Sequence, residues 1–173
     1  GVPGVAAGPV GRLVLGELNL IGRDLMQEEA AGGESGADAA GRAVAFGEGE
    51  SSSVMVNEED HVRLQAMAAG MDLDLALQRA RILDRFMEER VPFAHTPSLG
   101  YLTGCPTNVG TGMRASVMLH LPGLGLVRGE LEKVFNAAQR TSLVVRGRAG
   151  DGSRAAGDFY QISNQITWRR SES

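Results

Sequence analysis

Period-two alternation of apolar and polar residues, recurring in four separate segments, constrains the fold of this 173-residue chain more than any other feature. Over residues 61–67, His61, Arg63 and Gln65 fall on one side and Val62, Leu64 and Ala66 on the other. Over 114–121, Arg114, Ser116, Met118 and His120 alternate with Ala115, Val117, Leu119 and Leu121. In the run LVVRGR, Leu143 and Val145 alternate with Val144, Arg146 and Arg148. In FYQISNQITW, Tyr160, Ile162, Asn164, Ile166 and Trp168 alternate with Phe159, Gln161, Ser163 and Gln165. Successive side chains point to opposite faces of a strand, so each segment predicts a half-buried strand. RAVAFGEGESSSVMV, residues 42–56, adds two short strands around a Gly/Glu/Ser turn.

Helical spacing predicts three helices. In 12–30, Leu13, Leu18, Ile21 and Leu25 recur near helical spacing, weakened by Gly16 and Gly22. In 72–90, Asp72 or Asp74 caps the start, Leu73, Leu77, Ala80 and Phe86 are expected to face the core, and Pro92 stops the helix. The third runs over 127–140. Residues 31–41 read as an exposed loop and 94–113 as a long Gly/Thr/Pro loop, functional or disordered. The connections mix loops and helices with no regular βαβ repeat. The expected fold is therefore α+β, an antiparallel or mixed sheet with helices on one side. Its uncovered face is expected to present Arg63, Arg114 and Arg146 to a common space.

A formal net charge of −4 excludes general attraction to nucleic acid or to an anionic membrane. Lys133 is the single lysine among 17 basic residues. Arginine suits bidentate recognition of phosphate and carboxylate, although a GC-rich genome produces the same bias. Cys105 is the single cysteine, so no internal disulfide forms, which agrees with a reducing compartment. No apolar run approaches the ~18 residues of a membrane span, and no signal peptide opens the chain. His61, His95 and His120 lack metal-ligand spacing, so no protein-bound metal is expected.

Three constellations carry candidate chemistry. NEEDHVR, residues 57–63, sets Glu58, Glu59 and Asp60 beside two cations. It reads as a solvated acidic turn or as a grip for a guanidinium, which relieves carboxylate repulsion by bidentate pairing. That repulsion is ~1 kcal/mol in water and about four times more at the lower effective dielectric near a protein surface. PTNVGTGMR and RGRAGDGSR place arginines beside Gly-rich loops, a combination suited to polyphosphate. Neither follows the Walker pattern, which needs a lysine. Cys105 reads as a small buried hydrophobe or as a reactive thiol.

SVMVNEEDHVRLQ (53–65) and GYLTGCPTNVGTGMRASVMLHLP (100–122) resemble the signature segments of the ATP:guanido phosphotransferases, and RGRAGDGSRAAGDFYQISNQIT (146–167) resembles the third. The resemblance is to the bacterial protein arginine kinases in particular, whose corresponding run is RG-x-x-GEGSEA followed by QISNQ. It implies a curved, mostly antiparallel sheet flanked by helices. It implies transfer of the γ-phosphoryl of ATP to a guanidinium, of arginine residues in proteins, with Mg²⁺ bound through the nucleotide. By the resemblance Glu59 orients the guanidinium and acts as base, and Cys105 is the thiolate that pairs with it. Arg63, Arg114 and Arg146 hold phosphates. Ala115, Ser116, Val117 and Met118, with Gly147, Arg148, Ala149, Gly150 and Asp151, line the nucleotide. The implied partners are ATP or ADP, an arginine-containing protein, and a second copy or an activator protein.

The resemblance runs over residues 12–168, with 1–11 read as an unstructured start and 169–173 as a tail. It implies an N-terminally truncated catalytic domain, because the family's earlier S-x-R-x-R strand has no match. Asp24 stands where the family has a histidine, and Arg154 where several members have a glutamate that grips the guanidinium. The phosphoarginine-binding extension of the bacterial kinases has no counterpart in the chain. A second expectation follows: a catalytically impaired remnant that binds nucleotide or a protein partner in a regulatory role.

Overall fold

The computed structural model describes residues 41–47, 49–147 and 156–167, in two compact units, Gly1–Phe93 and Ala94–Ser173. The start at 1–11, the helix expected over 12–30, the loop over 31–41 apart from its last residue, and the tail lie outside the described residues.

In the first unit β1 (Ala43–Phe46), β2 (Ser52–Val56) and β3 (Val62–Ala66) form one antiparallel sheet in chain order. The register pairs Met55 with Arg63 and Ser53 with Gln65. Directly opposed residues share a face, so the face of Arg63 also carries Met55 and Ser53, which are 0% and 1% exposed. The expectation that this face is uncovered therefore fails on β2. β2 is the central strand, shielded on both edges, whereas Arg63 is exposed on an edge strand.

Helix α1 (Leu73–Glu88) follows. The Asp72 carboxylate accepts from the Leu75 N–H at 2.9 Å and satisfies one of the donors that a helix start leaves unpaired. The helix ends ahead of Pro92, as the sequence predicts. Its half-buried stripe is Ala76, Leu83 and Met87, together with the expected Leu77 and Ala80. Leu73 and Phe86, expected in the core, are 45% and 54% exposed. Packing against β3 selects the stripe, with Arg79 donating to the carbonyl of Met67 at the strand's end. Phe86 instead carries the Arg90 guanidinium 3.7 Å above its ring.

The second unit opens where a long loop, functional or disordered, is expected. β4 (His95–Thr96) and β5 (Gly100–Tyr101) form a small hairpin, Tyr101 bridges to Gly110, and Pro106–Asn108 makes one 3₁₀ turn. Gly100 has φ +79, and a Cβ there would run into the Gly110 carbonyl, so the close approach requires glycine. Then come β6 (Ser116–His120), α2 (Pro122–Gly125), α3 (Arg128–Arg140), β7 (Leu143–Gly147) and β8 (Phe159–Asn164). The last three strands pair antiparallel in the order β6-β8-β7.

This register sorts the residues by face. Val117, Leu119, Leu143, Val145, Tyr160 and Ile162 share one side, and Ser116, Met118, Arg146, Gln161 and Ser163 the other. Helix α3 packs on the apolar side, where the Phe135 and Tyr160 rings sit 5.4 Å apart. All pairings are antiparallel and the class is α+β, as expected. Among the described residues they are distributed over three sheets rather than one.

Candidate functional site

The acidic turn between β2 and β3 treats its three carboxylates differently. Asn57 begins it in the left-handed region, φ 54, which asparagine tolerates better than most residues. Its side chain donates to the Gly41 carbonyl at 2.9 Å, and its N–H donates to the His61 carbonyl at 2.9 Å, closing the turn. Glu58 is turned inward, its side chain 3% exposed, and accepts from Arg63 Nη1 at 3.0 Å. Asp60 is half-buried and partnered. Glu59 is exposed, and among the described residues its side chain has no hydrogen-bond or ion-pair partner. One carboxylate thus offsets Arg63, and its neighbour stays open to an external cation.

In the second unit, Cys105 is half-buried at the head of the 3₁₀ turn. Its Sγ lies 3.0 Å from the Thr107 hydroxyl, and its carbonyl accepts from the Thr103 hydroxyl at 2.6 Å. The turn is anchored from the end of β8. Thr167, 3% exposed, directs its hydroxyl at the carbonyls of Thr107 and Val109, at 2.9 and 2.8 Å.

The two candidate phosphate ligands of this unit, Arg114 and Arg146, have no carboxylate partner among the described residues. Arg114 Nη2 donates to the amide oxygen of Asn108 at 3.3 Å. The peptide groups on either side of Arg114 are clamped by Asn164, whose Oδ1 accepts from the Ala115 N–H at 2.8 Å and whose Nδ2 donates to the Met113 carbonyl at 3.2 Å. Arg146 is exposed on the polar face of β7, in register with Gln161, and has no side-chain partner among the described residues. Gln161 Nε2 donates to Ser116 Oγ at 2.9 Å. The polar face thereby offers a cation, an amide and a hydroxyl in a band across three strands.

Not every nucleotide-lining candidate reaches this face. Ser116 and Met118 lie on it, but Val117 sits on the apolar side, paired with Ile162, and Gly147, paired with Tyr160, lies on that side too. Ala115 is exposed just ahead of β6. Arg148, Ala149, Gly150 and Asp151, and likewise Asp24 and Arg154, lie outside the described residues. The sequence reading missed Glu58 as the partner of Arg63, and Thr107, Asn108, Gln161, Asn164 and Thr167 as organisers. Alternation does signal Gln161 on a polar face; no local pattern signals the others. Among the described residues no group of three or more His, Cys, Asp or Glu side chains could hold a metal.

Comparison with known proteins adds an independent line. The family described as ATP:guanido phosphotransferase, C-terminal catalytic domain, matches residues 17–173. The protein-arginine kinase of Bacillus mycoides (strain KBAB4) is 48% identical over 164 residues, covering 95% of this chain and 43% of that protein. The protein-arginine kinase of Bacillus cereus (strain AH187) is 47% identical over the same length and shares. The duplicated taurocyamine kinase of Schistosoma mansoni, solved with bound transition-state analog components, aligns with TM-score 0.75 at 25% identity over 97% of this chain and 23% of that one. Lombricine kinase aligns with TM-score 0.70 at 27% identity over 96% of this chain and 46% of that one. The chain spans less than half the length of these curated relatives.

Proposed function

This chain belongs to the ATP:guanido phosphotransferase family, and on that premise we propose that it forms the working part of a kinase that moves the γ-phosphoryl of ATP to the guanidinium of arginine residues in proteins. The observation that carries the reading is the pair Arg114 and Arg146, cations without a carboxylate partner among the described residues, beside the Ser116–Gln161 pair. The curated relatives, named protein-arginine kinase, support the acceptor class. The domain is taken as residues 12–168.

Each residue has a role that its chemistry supports. A guanidinium stays protonated, with a pKa above ~12, and is a poor nucleophile until it is aligned and loses a proton. Glu59, exposed and unpartnered, is the base that orients it and takes that proton. Cys105 is the second acceptor-side group; as a thiolate it accepts from the Thr107 hydroxyl. A bond from the γ-phosphorus to nitrogen forms while its bond to the bridging oxygen breaks, and ADP leaves. Arg114 and Arg146 offset charge on the phosphates, where most catalysis of phosphoryl transfer resides. Arg63, the third arginine that the family motifs mark, keeps donors for a phosphate that Glu58 leaves over. Ser116 and Met118 line the nucleotide by side chain, and Ala115, Val117 and Gly147 by backbone.

Mg²⁺ bound through the nucleotide phosphates supplies further charge neutralisation. No helix among the described residues is long and apolar enough to cross a membrane. We place the protein in the cytoplasm, with a second copy or an activator protein as further partner.

The test is incubation of the chain with labelled ATP, Mg²⁺ and an arginine-rich protein, scored for acid-labile phosphate on arginine. The reading expects such product, and expects Glu59→Gln to lose it while thermal stability stays unchanged. Label confined to acid-stable hydroxyl esters, or undiminished transfer by Glu59→Gln, would overturn it.

A further inference from the structure

The end of β8 carries no group suited to phosphoryl chemistry, yet it holds two pieces of the candidate site. Asn164 spends its amide on the backbone on either side of Arg114, at 2.8 and 3.2 Å, with a longer contact to the Ile166 carbonyl at 3.4 Å. Three residues on, Thr167 is 3% exposed and its hydroxyl serves the Thr107 and Val109 carbonyls. The Thr167 carbonyl accepts from the Thr111 N–H and hydroxyl, both at 3.4 Å. Apart from the contact to Ile166, these reach 49 to 60 residues back along the chain, so local folding of the Cys105 turn cannot supply them. A hydroxyl buried this deeply costs free energy unless it is bonded, which ties its position to the turn.

We propose that Asn164 and Thr167 are positioning residues that set the two parts of the site separately: Asn164 fixes the backbone that aims Arg114, and Thr167 fixes the Cys105 turn through Thr107. The Asn164 half rests on the reading of Arg114 as a phosphate ligand. The Thr167 half rests only on Cys105, whose sulfur lies 3.0 Å from the hydroxyl of a residue that Thr167 holds by its carbonyl. The two sets of contacts share no atom. Their one link is the 3.3 Å contact of Arg114 Nη2 to Asn108 within the turn, so a change at either position should move its own readout most, which a general loss of stability would not do.

Cys105 is the only cysteine in the sequence, so its alkylation by iodoacetamide is a clean report on the turn. MgADP titration reports on Arg114. In the intact chain, Thr167→Val is expected to change the alkylation rate about threefold or more, with MgADP affinity within about twofold, and Thr167→Ser to restore the rate. Asn164→Ala is expected to weaken MgADP about tenfold with the alkylation rate within about twofold. Circular dichroism and thermal midpoints accompany every variant. If both readouts move together in both variants, in step with the midpoint, the residues are only structural and the proposal fails. It fails as well if Thr167→Ser behaves like Thr167→Val. An Arg114→Ala variant with unchanged MgADP affinity would bring down the phosphate reading and the Asn164 half with it, while alkylation still decides the Thr167 half.

Discussion

In the first unit Arg63 donates to Glu58 at 3.0 Å, onto a carboxylate that is 3% exposed. In the second, Arg114 reaches the neutral amide of Asn108, and Arg146 has no side-chain partner among the described residues. The three arginines look alike in the sequence, each beside a strand with an apolar face. The structure separates them by what offsets their charge. A phosphate approaching Arg63 must compete with a carboxylate already in place. A phosphate approaching Arg114 or Arg146 meets a cation with no carboxylate partner among the described residues. Of the three arginines, the two without a carboxylate partner among the described residues therefore lie in the second unit. The first unit's distinctive offering is Glu59, the carboxylate left over once Glu58 is committed.

Four changes break or sharpen that contrast, from the largest effect to the smallest. Glu59→Gln should lower phosphotransfer by about 10²-fold or more, the usual weight of a general base, with the thermal midpoint unmoved. Glu58→Gln serves as the control and should leave a larger share of the activity. Arg63→Ala should destabilise the first unit, since it strands a buried carboxylate. Because the arginine is half-exposed, the cost falls between the about 1 kcal/mol of a surface pair and the roughly 3–5 kcal/mol of a buried one. Adding Glu58→Gln to Arg63→Ala should recover part of that loss in denaturant titrations. Arg146→Ala should do the reverse, weakening MgADP about tenfold through a lost charged hydrogen bond while changing stability by less than about 0.5 kcal/mol. Asn57→Ala should cost about 1 kcal/mol, since alanine tolerates the left-handed start of the turn poorly and loses the bond to Gly41.

Much of the fold is legible because period-two alternation and helix capping are local. The strands around Arg63, Ser116, Arg146 and Gln161 lie where the alternation puts them, and Asp72 caps the helix that its position predicts. What the sequence conceals depends on contacts distant in the chain. Alternation cannot tell the face of Arg63 from that of Met55, because the register across β2 and β3 decides that they share one. Helical spacing allows Leu73, Leu77, Ala80 and Phe86 to face inward; packing of α1 on β3 keeps Leu77 and Ala80 and takes Ala76, Leu83 and Met87 in place of the other two. The stretch at 94–113 reads as a long loop, functional or disordered, because its order comes from Gly110 pairing with Tyr101 and from Thr167. At the site the family motifs mark Glu59, Cys105, Arg114 and Arg146. They do not reveal that Glu58 neutralises Arg63, or that Asn164 and Thr167 brace the rest.

The central claim is that the second unit's uncompensated arginines draw the nucleotide. Calorimetric titration of the chain with MgADP, beside Arg114→Ala, Arg146→Ala and Arg63→Ala, tests it most directly. The account predicts binding that each second-unit change weakens about tenfold or more, and that Arg63→Ala weakens less. Equal losses at all three arginines, or binding indifferent to Arg114 and Arg146 in a folded chain, would contradict it.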